Sequence, residues 1–468
     1  MRVFFATTPY QKQRRSIDIQ PMLGIFLLPQ MLRECGCQVD VELNIEEGLE
    51  VESDALVGRA LKSDVICLSA LSFNWACIKR FVELIDRQGE RPPIIVGGVH
   101  PTLVPDYIMR SSPADILVVG EGERTLLELI DYYRGRRTLA QIQGIYYRDD
   151  GQIRSTPPRE LLTSDELAQL PCIDWNDYPV GSAVLPVQTS RGCLMSCTFC
   201  SIPFRGSWRP FPLKHVMNSI EACLKAMPGD GPRSILFADD CFTADRAFAI
   251  SVLTNVTREF PQVRLTIEAR VRDMMKPGFL ETIARSSVEG MQVGIECGYD
   301  KGLRRIRKGL SVSEVKDFTR AASEMGMGAK VLHSFIVGFP WETTAEIRAT
   351  IDLAFFLADR YGSSIQINWW IPMPGNAIFR DLCSSYGVDE SIFDQENYSI
   401  RQDLFFRMRP WITKKEMNAV ESYLMSQASS FPDVIKSGSV FSNSWGDTLL
   451  RIREYCTSMN CPLPDFLR

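Results

Sequence analysis

Ser190-Arg191-Gly192-Cys193-Leu194-Met195-Ser196-Cys197-Thr198-Phe199-Cys200 sets three cysteines at CxxxCxxC spacing, directly after an apolar extended run from Leu185 to Thr189. Three thiolates this close can hold an iron–sulfur cubane but leave it one ligand short, whereas a [4Fe-4S] cluster kept for electron transfer alone normally has four. The vacant iron is open to a small molecule, so the stretch reads as a place of bound chemistry. Two other readings stand beside it. A tetrahedral zinc site needs a fourth ligand, which Cys172 or Cys241 could supply, and a chain with 14 cysteines allows chance clustering.

With Arg191-Gly192 leading in and Phe199 before Cys200, the stretch resembles the cluster motif of the radical S-adenosylmethionine (SAM) enzymes. The resemblance implies that Cys193, Cys197 and Cys200 ligate a [4Fe-4S] cluster whose open iron chelates the amino and carboxylate groups of SAM. It further implies that one electron splits SAM into methionine and a 5'-deoxyadenosyl radical able to take hydrogen from an unactivated carbon. In such enzymes the cofactors carry the hard chemistry, and the protein supplies position and exclusion.

Outward from this loop, 468 residues suffice for two or three domains. The 52 Lys+Arg and 57 Asp+Glu give a net charge of -5, without the basic field of a nucleic-acid binder, so no nucleic acid is expected as partner. Met1 to Ala6 is too short an apolar run for a signal peptide and reads as a first strand. No window holds the roughly 20 apolar residues of a membrane span. Cysteines scattered through helical and strand patterns point to a reducing cytoplasm, most of them acting as small buried hydrophobes.

From residue 1 to about 135, Val/Ile/Leu-rich runs alternate with helical patterns: Arg2 to Ala6, Gln38 to Glu42, Asp64 to Ser69, Pro93 to Val96 and Asp115 to Val119. This predicts a Rossmann-like parallel sheet covered on both faces. A first helix is expected from near Pro21 to Gly36, kinked or split by Pro29. At the strand ends stand Gly97-Gly98-Val99-His100-Pro101-Thr102 and Gly120-Glu121-Gly122-Glu123, where open sheets bind ligands. Both stretches resemble the cobalamin-binding domain that precedes the cluster domain in one large radical SAM class. That resemblance implies cobalamin contacts at Gly97, Gly98, His100, Thr102, Gly120, Glu121 and Gly122. Read alone, Gly97 and Gly98 make a strand-to-helix turn, and Glu121 and Glu123 are solvated first-turn acids. The loop Thr8-Pro9-Tyr10-Gln11-Lys12-Gln13 offers no histidine for cobalt.

Residues 136–183 read as a connector with one strand from Ile142 to Tyr147 and a turn at Asp149-Asp150-Gly151. Residues 184–383 resume the alternation, with six strands expected at Leu185 to Thr189, Ser234 to Phe237, Arg264 to Glu268, Gly290 to Ile295, Lys330 to Val337 and Ser364 to Trp370. The fold class is therefore α/β: the cobalamin-type sheet, then a partial (β/α)6 barrel of the radical SAM kind, then a small mainly helical C-terminal region over 384–468, with a helix at Met417 to Gln427.

Barrel chemistry sits at the carboxyl ends of strands. There the resemblance implies SAM contacts from Phe199, Asp239, Asp240, Glu268, Arg270 and Glu296. The competing readings are a helix cap for Asp239 or Asp240 and an ion pair with Glu268 for Arg270; Lys308-Gly309 stands at the family's usual place for a phosphate or substrate contact, or belongs to a solvated basic face from Arg304 to Lys308. His333 reads either as an inward substrate ligand or base, or as a hydrogen-bonded core residue. Arg209 has a counterpart in the family, or is a surface cation.

The expected function is that of a cobalamin-dependent radical SAM enzyme, a methyltransferase acting on an unactivated carbon of a small metabolite or natural-product intermediate. The resemblance implies three cofactors, the [4Fe-4S] cluster, SAM and cobalamin, and a one-electron donor such as flavodoxin or ferredoxin. Cyclisation, oxidation or rearrangement without net methylation is the alternative within catalysis. A non-catalytic corrinoid, SAM or redox sensor is the alternative outside it, and would call for an output module that the sequence does not display.

Overall fold

The computed structural model describes residues 1–8, 23–51, 53–177, 184–227, 229, 231–395 and 406–429. Seven strands make the first sheet: β1 (Arg2–Ala6), β2 (Gln38–Glu42), β3 (Val65–Ser69), β4 (Ile94–Gly97), β5 (Ile116–Val118), β6 (Ile145–Asp149) and β7 (Gln152–Ser155), in the order β2-β1-β3-β4-β5-β6-β7. β1 to β5 are parallel; the apolar runs of β1, β3, β4 and β5 are buried on both faces, as in Val65-Ile66-Cys67-Leu68, while the edge strand β2 is half-exposed. The order of strand addition reverses between β1 and β3, a switch point that places a ligand crevice outside their carboxyl ends. The stretch read as a connector supplies β6 and β7, which extend this sheet antiparallel.

The first helix, Gly24–Glu34, runs unbroken through Pro29, contrary to the expected split. Proline removes one backbone bond, and burial of Ile25, Phe26, Leu27 and Leu32 beside it offsets that loss. Pro21 and the loop after Thr8 fall outside the described residues.

The second sheet follows as β8 (Val184–Val187), β11 (Arg233–Phe237), β12 (Val263–Ala269), β13 (Val288–Glu296), β14 (Val331–Val337) and β15 (Ser364–Trp369), all parallel and in sequential order. Among the described residues β8 and β15 do not pair with each other, so the barrel is partial. Between β8 and β11, β9 (Ser190–Arg191) and β10 (Arg209–Pro210) pair antiparallel and form the stem of the cysteine loop. Burial alternates along the barrel strands: Val263, Leu265, Ile267 and Ala269 are buried, while Arg264, Thr266 and Glu268 between them are partly open. One face packs on helices and the other lines a polar lumen.

This alternation corrects the inward reading of His333. It lies on the helix side, fully buried, with Thr319 Oγ1 3.0 Å from Nε2 and Ser363 Oγ 3.2 Å from Nδ1. The C-terminal region does more than cap the barrel. The turn Glu390–Asp394 docks on the first sheet's helices, where Asp394 accepts from Trp75 Nε1 at 2.9 Å and from Lys79 and Tyr107. The last described helix, Lys414–Ser429, buries Met417, Val420 and Leu424.

Burial pushes His333 down to about 3 from 6.5, so it folds neutral. Its contribution to stability is present above pH 6.5 and lost as pH falls towards 3, at about 1.4 kcal/mol per pH unit. Unfolding titrations from pH 7 to 5 are expected to show a shallower acid loss in His333→Gln than in the parent chain, and equal slopes would contradict this placement.

Candidate active site at the barrel mouth

Asp239, at the end of β11, is buried and accepts from Thr189 N at 2.6 Å, from Thr189 Oγ1, and from Ser190 N and Oγ at 3.1 and 2.9 Å. Both its oxygens are committed to the strand that leads into the cysteine loop. It is therefore a brace and not a SAM contact, a correction to the sequence reading. Asp240 is open to the mouth and accepts from Gly192 N at 2.9 Å. Gly192 has φ +85, and a Cβ there would stand 2.3 Å from Ser207 O, so only glycine lets the loop close on its own stem.

The loop is also held from the other side. Asn376 Nδ2 donates to Phe199 O at 3.0 Å and to Ser201 Oγ at 2.9 Å, while the first amides of helix Ala377–Tyr386 donate to Thr198 O. Thr198 N reaches Ile306 O at 3.0 Å. Asn376 was missed in the sequence; its position as an N-cap was the available signal.

Around this loop the structure gathers Asp240, Glu268, Arg270, Glu296 and Phe199. Glu296 pairs with Lys308 Nζ at 2.8 Å, both nearly buried, and Lys308 also faces the Phe199 ring at 5.9 Å. Glu296 has φ +75 at a β-bulge in β13. This is strained backbone for a residue with a side chain, of the kind found at functional positions. A Cβ on Gly294 would lie 2.4 Å from Glu296 Oε1, so the glycine makes room for the pair. Burial, then the charge of Glu296, pushes Glu268 up to about 8. Arg270 bonds Asp273 at 3.5 Å instead of Glu268. Cys193 is held below the ordinary thiol range, first by a hydrogen bond from Cys241, then by the Met195 amide and Arg270, against its burial.

The strand ends of the first sheet meet this loop through charge. Arg191 donates to Glu121 Oε1 at 2.9 Å and to Glu123 Oε1 at 2.7 Å, and Arg209 donates to Glu121 Oε2 at 2.9 Å. Glu121 also takes Leu162 N at 2.6 Å. All four charged side chains are nearly buried. Burial opposes the charge on Glu121, yet Arg209 and Arg191 hold it below the usual carboxylate range. Glu121 is thus a strut to the cysteine loop, neither a solvated acid nor a residue free for cobalamin.

His100 is likewise internal. It has no accessible surface, its Nδ1 stands 2.9 Å from Ser72 Oγ, and Trp75 and Phe393 flank the ring. Gly98 is required by the fold, since a Cβ there would lie 2.6 Å from Ala70 O. Gly97 lies beside Val118, and Gly122 beside Leu28 and Val118. At Gly120, by contrast, a side chain would meet nothing within 4 Å, and Thr102 Oγ1 accepts from Gly120 N at 3.0 Å. Bare backbone facing open space beyond β5 suits a broad flat ligand.

Among the described residues no three His, Cys, Asp or Glu side chains converge closely enough for a single metal ion. Zinc would require that convergence, whereas a cubane spreads its thiolates over separate irons. Cys172 lies elsewhere, in a cavity beside helix Gly24–Glu34, with Ser219 Oγ 3.4 Å from its sulfur.

A doubly wound sheet joined at its strand ends to a partial barrel with a three-cysteine loop defines a cobalamin-dependent radical SAM enzyme. Residues 18–130 match the B12 binding domain and residues 187–354 the Radical SAM superfamily. An uncharacterised methyltransferase of Pyrococcus horikoshii is 30% identical over 372 residues, spanning 77% of this chain and 78% of that one. The chain belongs to the cobalamin-dependent radical SAM family. Its cofactors are a [4Fe-4S] cluster, SAM and cobalamin. The anaerobic magnesium-protoporphyrin IX monomethyl ester cyclase of Cereibacter sphaeroides is 23% identical, over 73% of this chain and 56% of that one. The radical SAM methyltransferase TsrM from Kitasatospora setae shares the fold at TM-score 0.67 and 16% identity, over 82% of this chain and 76% of that one. No described helix is long and apolar enough to cross a membrane.

Removing one partner of a buried ion pair costs about 3–5 kcal/mol. Glu121→Ala is expected to lower unfolding free energy by about 3 kcal/mol and to reduce iron retained after anaerobic reconstitution. Denaturant titration and iron assay check this, and unchanged values in both would sink the strut assignment.

Proposed function

We propose that the protein is a C-methyltransferase acting on an unactivated carbon of a small polar metabolite or natural-product intermediate. The observation that supports this most is the junction itself: the cysteine loop and the open end of β5 meet through Glu121 and Arg191, so both cofactors would serve one mouth. Bound there, the cluster with SAM supplies a hydrogen-abstracting radical and cobalamin a transferable methyl group.

In this reading Cys193, Cys197 and Cys200 hold three irons. Asp240 and Glu268 would receive the ammonium of SAM, and Arg270 would hold its carboxylate through a paired hydrogen bond. Glu296, held by Lys308, faces the adenosine side. With a carboxyl pushed up to about 8, Glu268 carries a proton at neutral pH and releases it when a cationic group arrives. Gly97, Gly120 and Thr102 present the first sheet's strand ends to the corrin. The lumen offers Thr266, Gln292, Ser334, Gln366 and Asn368, an uncharged hydrogen-bonding lining suited to a polar neutral substrate. An external donor of flavodoxin or ferredoxin type supplies the electron, in the cytoplasm, and no nucleic acid takes part. Cyclisation or oxidation without net methylation is the second reading, favoured by the likeness to the Cereibacter sphaeroides cyclase.

Anaerobic reconstitution with iron, sulfide and hydroxocobalamin, followed by SAM, a low-potential reductant and candidate metabolites, tests this. Methylation predicts S-adenosylhomocysteine and 5'-deoxyadenosine rising together by mass spectrometry. Deoxyadenosine alone would transfer the assignment to cyclisation or oxidation. Iron bound undiminished after Cys193→Ala, Cys197→Ala and Cys200→Ala together would refute the ligand set.

A further inference from the structure

Lys301, Arg304, Arg305, Arg307 and Lys308 bring five cations into eight residues of a chain whose net charge is -5. Leu303 and Ile306 turn into the core, and Lys308 turns inward to Glu296. Lys301, Arg304, Arg305 and Arg307 stay exposed. Arg305 lies over the Trp341 ring at 4.2 Å, and Lys301 reaches Glu346 at 3.5 Å. Arg304 and Arg307 meet no carboxylate among the described residues.

This turn abuts the cysteine loop. Thr198 N donates to Ile306 O at 3.0 Å, and Cys197 Sγ donates to Arg307 O at 3.9 Å. A Cβ on Gly309 would stand 3.9 Å from Met195 Cε, so the loop's crest lies beside the basic turn. On that crest Leu194, next to Cys193, is 58% exposed, more than any other large hydrophobic described. An apolar crest bordered by unpartnered cations thus lies over the backbone that carries the thiols.

Electron-transfer partners meet through small, short-lived interfaces, and opposite charge sets their encounter rate more than their affinity. We propose that Lys301, Arg304, Arg305 and Arg307, with the Leu194–Met195 crest, dock a small acidic one-electron donor protein against the cysteine loop. The donor loses one electron and the cluster gains it, with no bond or proton exchanged. A hydrogen-bonded route runs from the Ile306–Arg307 backbone to Thr198 and Cys197. This inference rests on the reading that Cys193, Cys197 and Cys200 hold the cluster.

The test follows cluster bleaching by stopped flow in anaerobic holoenzyme, with reduced flavodoxin and, separately, reduced methyl viologen, a small cation that needs no basic docking face. For Arg304→Glu with Arg307→Glu, reduction by flavodoxin is expected to slow by at least about tenfold at low ionic strength. Salt should slow the parent enzyme but hardly affect this variant, Arg304→Lys with Arg307→Lys should retain the parent rate, and viologen should reduce all three undiminished. Parent-like flavodoxin rates and salt dependence in the charge-reversed enzyme would overturn the docking face. Failure of viologen to bleach any cluster in the parent enzyme would overturn the cluster reading beneath it.

Discussion

One carboxylate, Glu121, holds two arginines that could not otherwise stand together. Arg191 and Arg209 are direct partners across the β9–β10 ladder, and like charges so placed repel. Glu121, reaching out from the end of β5, accepts from both, and Glu123 takes the second arm of Arg191. Since these charges are nearly buried, each is costly without the others. Docking of the first sheet therefore neutralises the two arginines of the stem that carries the cysteine loop. Asp239, Asp240 and Asn376 then fix the loop's remaining edges.

From this anchoring the mouth takes its character. The backbone of the loop is satisfied by neighbours on three sides, which leaves side chains at the strand ends of β12 and β13 to face the lumen. There the strained Glu296 and its partner Lys308 are held apart from solvent, while Glu268 stays without a hydrogen-bond partner among the described residues and so favours its neutral form. A site that stores an unpaired carboxyl beside a paired one is prepared for a cationic ligand group.

Much of this is legible in the amino-acid sequence. The Val/Ile/Leu-rich runs mark the parallel strands of both sheets, because buried apolar residues leave a plain mark, while the exposed β7 and the two-residue β9 and β10 carry no such run. The cysteine spacing marked the loop. What sequence could not separate were roles that depend on direction. Asp239 and Asp240 are adjacent, yet one braces Thr189 and Ser190 while the other faces the mouth. Glu121 and Arg191 are far apart in the chain, and nothing local announces their meeting. His100 and His333 are polar letters in functional-looking motifs, but strand and helix geometry turn both into the core. Asn376 and the segment around Asp394 were unreadable because their partners belong to other parts of the fold.

The first sheet and the cysteine loop would hold cobalamin and the cluster at one shared mouth. Electron paramagnetic resonance of holoenzyme with cobalamin in its cob(II) form, recorded before and after one-electron reduction of the cluster, tests it most directly. Two paramagnets at one mouth predict a cob(II)alamin signal that broadens and relaxes faster once the cluster is reduced. An unchanged line shape and relaxation, with both centres present by quantitation, would contradict the account.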